Sequence, residues 1–267
     1  MVKISPLKAF KISSVLAVAL LAAAALPSAA SADSAANSSK ATKWVHFKGI
    51  VVEVGALEKN LVGATIGTSE SSKWKATVKA DGSYDLKVPA LTKVTRYVDI
   101  GDHLRIYTPT VKTTKTGVPP WSSRNIAVPS LDRARQLANF IKIEIAEGKD
   151  APQDCVVLPL VAIKAFQTMT LAQVLARNSQ VGVPGAKLTI GPANGLKPIY
   201  IGSNLLPDLA LTTTTKDGIG IFIGVKPGIY KLSATKAGNR FSVFTATCKP
   251  GRVIFGEIGQ QDGDQDD

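Results

Sequence analysis

One pattern occurs twice in this chain and confines it to a fold of stacked sheets: short alternating apolar runs broken by Gly-Ala and Asp-Gly corners. In the first half, Val62-Gly63-Ala64-Thr65-Ile66 is followed by Lys79-Ala80-Asp81-Gly82-Ser83-Tyr84-Asp85-Leu86-Lys87-Val88-Pro89. In the second, Val183-Pro184-Gly185-Ala186-Lys187-Leu188-Thr189-Ile190 is followed by Lys216-Asp217-Gly218-Ile219-Gly220-Ile221-Phe222-Ile223 and then Gly224-Val225-Lys226-Pro227-Gly228-Ile229-Tyr230-Lys231-Leu232-Ser233-Ala234. A Gly-Ala corner lets a strand start close to its neighbour, and Asp-Gly makes a tight hairpin because glycine accepts a positive φ at little cost. Alternation at period two gives each strand one apolar face, which is buried only when a second sheet stacks on it.

The remaining segments extend the same reading. Trp44 to Val54 predicts a first strand with a slip of phase near Gly49, and Leu61–Ile66, Trp74–Lys79, Ser83–Val88, Val94–Ile100 and Leu104–Thr108 predict further short strands. In the second half, strands are expected at 186–190, 219–223, 229–234, 241–247 and 253–258. One helix is expected after Ser130, a residue suited to capping it, with Leu131, Ala134, Leu137, Ala138, Ile141 and Ile145 on one face and Gly148 at its end. Its later part, Phe140 to Ala146, also fits a strand. The stretch 156–177, with Pro159 inside it, fits either helix or strand.

The duplicated pattern resembles the carboxypeptidase regulatory-like domains, a transthyretin-like β-sandwich related to the Cna-B modules of surface proteins. The copy from about Met169 to Ile258 carries "GVPGA" and "KDGIGIFIGVKPGIYKLSA". The copy from about Lys43 to Thr110 is looser, because "DGSYDLKVPA" lacks the Pro-Gly-x-Tyr continuation. The resemblance implies a mainly β chain: two transthyretin-like or immunoglobulin-like sandwich modules joined by a linker with one helix. It implies an accessory role as spacer, protein-contact surface or carbohydrate-binding-like surface, and it is specific for fold rather than function.

The N-terminus reads as an export signal. Lys3, Lys8 and Lys11 form a basic start, Ile12 to Leu26 is apolar, Pro27 breaks the run, and Ala30-Ser31-Ala32 supplies small residues for cleavage. A span of the bilayer needs ~20 apolar residues, more than this run holds. The expected organisation is a signal peptide over 1–32, a flexible lead-in over 33–42, a first sandwich over 43–111, a linker and helix over 112–154, a second sandwich over 155–259, and an acidic disordered tail over 260–267. Localisation is expected to be periplasmic or cell-surface, with no transmembrane span in the mature chain.

Net charge is +12, carried by Lys residues scattered along the strand-like segments. A nucleic-acid face would concentrate Arg and aromatics, so none is expected, whereas acidic partners such as anionic glycans or lipid headgroups suit the charge. Cys155 and Cys248 are the two cysteines, a candidate disulfide in an oxidising compartment, with two buried free thiols as the alternative. No cofactor or metal site is expected. His46 and His103 stand alone, there is no His-x-x-Glu zinc motif, and there is no Gly-x-Ser-x-Gly elbow. Lys48 and Lys187 lie on early strands, where an isopeptide bond would begin, without the partners that would make one expected. An envelope protein or glycan is the expected partner, and Trp44, Trp74 and Trp121 are the candidate binding residues. Trp121, in Pro-Pro-Trp-Ser, is the best placed for an exposed contact, while Trp44 and Trp74 also fit a sandwich core.

Overall fold

In the computed structural model the described residues are 42–53, 56–119, 125–140, 154–168, 173, 181–192, 195–203 and 206–261. The described residues all belong to one compact unit, Ala41–Asp267. The expected signal peptide and most of the lead-in lie outside the described residues, as do the later part of the expected helix, most of 169–177 and the acidic tail from 262. Among the described residues no helix is long and apolar enough to cross a membrane.

The protein is mainly β. Its first half holds β1 (Trp44–Glu53), β2 (Ala56–Asn60), β3 (Thr65–Thr68), β4 (Ala76–Thr77), β5 (Ser83–Pro89), β6 (Lys93–Val94), β7 (Arg96–Asp99), β8 (Ile106–Tyr107), β9 (Val111–Lys112) and β10 (Ile126–Val128). The helix α1 (Leu131–Phe140) follows. The second half holds β11 (Cys155–Ala162), a 3-10 turn at Lys164–Thr168, β12 (Lys187–Gly191), β13 (Ile199–Ile201), β14 (Pro207–Asp208), β15 (Gly220–Val225), β16 (Gly228–Thr235), β17 (Arg240–Phe241), β18 (Phe244–Cys248) and β19 (Val253–Gln261).

Strand β1 shows why the alternation slips. Val45 and Phe47 point into the core while the strand pairs with β5 through Ile50, and Val51 and Val52 are both buried where it exchanges that partner for β10 and β2. The helix starts where Ser130 permits. Its Oγ accepts a hydrogen bond from the Arg133 N–H at 3.4 Å, and Ala134 and Ala138 turn inward. Strand β11 is interior, between β15 and β19, despite Pro159. The proline is tolerated because the β15 ladder is irregular there, shifting register after Cys155 and resuming only as a bridge from Leu160 to Ile219.

The same backbone hydrogen bonds are made in both halves. Val51 N–H donates to Gly82 O and Leu61 N–H to Val51 O, just as Val161 N–H donates to Gly218 O and Val183 N–H to Val161 O. Gly63 and Val78 bond across Ala64 as Gly185 and Thr214 bond across Ala186. Gly63 and Gly185 have φ of 81° and 77°, which explains why both corners need glycine. Registers agree as well: Phe47 faces Leu86 as Val157 faces Phe222, and Ile66 faces Val98 as Leu188 faces Ala234. In each half the first strand takes a parallel partner, β10 on β1 and β19 on β11.

Three expectations about organisation are corrected. Residues 112–154 do not act as a linker throughout, because β9 pairs with β6 and β10 pairs with β1. The two halves are joined by more than the linker and helix, because β8 pairs in parallel with β19 and strands of both enter one ten-stranded sheet. The expected tail begins inside a strand, since Gln260 and Gln261 pair with Phe241 and Arg240. At finer grain, Leu61 to Ala64 is a turn rather than a strand, and Trp74 precedes β4 instead of lying in it. Short strands β2, β13 and β14 were not anticipated. Strand β2 pairs with β1 and β14 with β13 as short hairpins of two paired positions each, too few residues for a period-two pattern to show.

Candidate interaction surface

One end of the first half gathers exposed groups that the fold itself does not use. Along the β1–β5 pair, Trp44 lies opposite Pro89, His46 opposite Lys87 and Lys48 opposite Asp85. Because Val45 and Phe47 are buried, period two turns Trp44, His46 and Lys48 to solvent. Trp44 is 42% exposed, and Lys87 Nζ sits 5.3 Å from its ring centroid. Further along the same face, Asp85 is bonded to His46 Nδ1 at 2.6 Å and to Lys48 Nζ at 3.5 Å. Burial pushes the Asp85 carboxyl up, and His46 and Lys48 together bring it below the ordinary carboxylate value.

The turn after β5 completes this end. Ala90 N–H donates to Lys43 O at 2.8 Å, and Leu91 follows with φ of 60° and its side chain 55% exposed. Buried Thr113 fixes the turn from inside. Its Oγ1 accepts from Thr92 N–H at 2.8 Å and lies 3.1 Å from Pro89 O, while its own N–H donates to Thr92 O. Next to it, Lys93 stands directly across from Lys112. None of Lys43, Lys87, Lys93 and Lys112 forms an ion pair among the described residues.

The candidate residues do not converge. Trp74 is half-buried and packs against the first core, and among the described residues no ring contact joins it to Trp44. Trp121 lies outside the described residues. Lys187 opens β12 on its exposed side, opposite Thr235. Cys155 and Cys248 are joined as a disulfide, with Cα atoms 5.5 Å apart, between the start of β11 and the end of β18. His103 is buried and held from both sides, Nδ1 at 2.7 Å from Asp102 Oδ1 and Nε2 at 3.4 Å from Glu53 Oε2, and Glu53 also takes Lys59 Nζ at 2.5 Å. Among the described residues no group of three or more His, Cys, Asp or Glu is placed to hold a metal ion.

Sequence reasoning missed Leu91, whose exposure follows from the turn after β5. The one available signal was the missing Pro-Gly of the first copy, where a non-glycine residue has to make the turn.

No protein-family model matches the chain, and no curated protein matches it. Among solved structures it is similar to the Bacillus anthracis TIE protein, at 13% identity and a TM-score of 0.25, covering 82% of this chain and 34% of that one. It is similar to GBS52, the minor pilin of Streptococcus agalactiae, at 10% identity and a TM-score of 0.28, covering 84% and 98%. It is also similar to the shaft pilin spaA from Lactobacillus rhamnosus GG (E269A mutant), at 10% identity and a TM-score of 0.22, covering 83% and 98%. At these TM-scores the likenesses carry no argument about function.

Proposed function

We propose that this chain is an exported, non-enzymatic structural or interaction protein built from two copies of one transthyretin-like sandwich module, and that it meets its envelope partner at the Trp44 end. The observation that carries the contact surface is the pairing of an exposed tryptophan with a left-handed, exposed leucine on a turn held by a buried threonine. Export is supported by the basic, apolar and small-residue layout of 1–32. The duplicated module is supported by the recurring hydrogen bonds and registers of the two halves. A structural role is supported by how the buried polar side chains are used: His103 ties two carboxylates, and Arg96 donates to Tyr84 within the first core.

The test is capture from a cell-envelope fraction by the purified protein and by its Trp44→Ala and Leu91→Gly variants. Material retained by the native protein is expected to fall severalfold with both variants. Capture indifferent to both, or reproducible turnover of a small substrate, overturns the reading.

A further inference from the structure

The two halves provide an internal comparison at one sheet edge. Phe47 faces Leu86 as Val157 faces Phe222, and Val51 N–H reaches Gly82 O as Val161 N–H reaches Gly218 O, so β5 stands where the second half has β15. Each has the first strand of its own half on one side. On its other side β15 is covered, because Ile199 and Tyr200 of β13 pair with Ile221 and Gly220, and β14 pairs with β13 in turn. No strand takes that place beside β5 among the described residues. The second half has residues 192–219 between β12 and β15 to build the cover, whereas the first has only 69–82 between β3 and β5.

The backbone of β5 is open on that side. Val51 N–H bonds to Gly82 O and Ala90 N–H to Lys43 O, which marks hydrogen-bonded pairs at both ends of the β1–β5 ladder. Bonded and non-bonded pairs alternate along an antiparallel ladder, so Tyr84, Leu86 and Val88 direct their N–H and C=O at β1, while Ser83, Asp85, Lys87 and Pro89 direct theirs outward. Ser83 is satisfied locally, since its N–H donates to Asp81 Oδ1 at 2.9 Å and its C=O accepts from Lys79 N–H. Pro89 has no N–H, and its C=O accepts from the Thr113 hydroxyl at 3.1 Å. The outward N–H and C=O of Asp85 and Lys87 have no hydrogen-bond partner among the described residues. Such an edge is a template for another strand.

We infer that β5 pairs antiparallel with β5 of a second copy of this chain, about a two-fold axis at Leu86, with Asp85 of each copy opposite Lys87 of the other. Parity and charge together select this register. Only outward-directed residues bond across the edge, so Asp85 and Lys87 meet either themselves or one another. Meeting themselves sets like charges face to face, which repels, whereas meeting one another sets opposite charges face to face on both sides of the axis. Each of the two pairs exchanges two backbone hydrogen bonds, and the same patch serves both copies. The side chains agree with this. Lys87 lies opposite His46, with Nζ against the Trp44 ring and no carboxylate partner among the described residues. Asp85 of the second copy supplies the missing counter-charge. Trp44 sits on β1, one strand in from the edge, so this inference goes beyond the contact-surface reading and stands without it.

The test is sedimentation velocity of the purified protein over a range of concentrations, with melting temperature as the check on folding. The native protein is expected to pass from monomer to dimer as concentration rises. Lys87→Pro is expected to abolish the dimer with the fold intact, because the N–H it removes is one that β1 does not use. Asp85→Lys and Lys87→Asp, taken singly, set like charges across the axis and are expected to weaken dimerisation about tenfold. The double swap Asp85→Lys/Lys87→Asp restores opposite charges at both pairs, as does an equimolar mixture of the two single variants, and both are expected to bring the dimer back. If Lys87→Pro proves unfolded, the single reversals and their repair decide. A native protein that is monomeric at every concentration overturns the proposal. So does a dimer indifferent to a folded Lys87→Pro, or single reversals that neither the swap nor the mixture repairs. A monomer whose envelope capture falls with Lys87→Pro gives the edge to a strand of another protein, and the second copy is then excluded.

Discussion

Arg96 occupies the position in the first half that Leu232 holds in the second, and both are fully buried. Its Nη1 donates to the Tyr84 hydroxyl at 2.8 Å, and its guanidinium carbon lies 4.5 Å from the Phe47 ring centroid. Burial pushes the Tyr84 hydroxyl above its ordinary pKa, with Arg96 pulling the other way. Arg96→Ala removes a buried cation from its partners and leaves a void, so it should cost about 3–5 kcal/mol, read as a lower urea midpoint. Arg96→Leu, the residue of the other half, leaves the Tyr84 hydroxyl without that donor. Adding Tyr84→Phe should then recover part of the loss, since a buried hydroxyl that has lost a donor costs more than a pair removed together. Strictly additive losses in the double variant would contradict this account.

At the scale of elements, His103 and its two carboxylates tie three pieces of chain. Glu53 ends β1, Asp102 and His103 precede β8, and the Asp102 carbonyl accepts the first helical N–H, from Leu131. Glu53 lies below its ordinary pKa, chiefly through the bond from Lys59 and also through His103, with burial opposing. Asp102 lies below its own, chiefly through its bond with His103. A carboxylate whose folded pKa is depressed stabilises the fold above its unfolded pKa, and the contribution fades as pH falls through the folded value. Stability should therefore drop below about pH 4.5, near the unperturbed carboxylate range. Glu53→Gln should be less stable than the native protein at pH 7 and show a shallower loss on acidification, followed by thermal melts across pH 2–7. An acid limb of unchanged steepness would remove Glu53 from this role.

Taken whole, the described part of Ala41–Asp267 shares one core across its two halves. Val156, Ile201, Ile221 and Val253 from the second half belong to the same buried cluster as Phe47, Leu86 and Val98 from the first. Across the seam, Arg252 stacks over Tyr107 at 4.6 Å and donates to Ser69 Oγ at 3.1 Å, and the Thr110 and Thr247 hydroxyls meet at 2.8 Å. This coupling has a direct test, because all three tryptophans precede residue 122 and both cysteines follow residue 154. Cutting the Cys155–Cys248 link, which closes a 93-residue separation, should cost about 4–5 kcal/mol in the chain-entropy estimate. Reduction should lower the unfolding midpoint seen by tryptophan fluorescence together with that seen by circular dichroism. A tryptophan transition that stays put while the other moves would show two independent domains.

The sequence by itself determined the β class, the capped start of the helix, the two Asp-Gly turns and the two Gly-Ala corners. These are local statements, set by the φ that glycine alone takes easily and by the period of the side chains. Only the tertiary structure decided that the halves share a sheet, since pairing β8 with β19 brings together residues almost 150 apart and leaves no trace in either strand. It likewise decided that Trp44 faces solvent, because an alternating strand fixes two faces without saying which one a second sheet will cover. Lys93 and Lys112 read as single lysines in the sequence and face each other only because β6 pairs with β9, so charge adds up in space rather than along the chain.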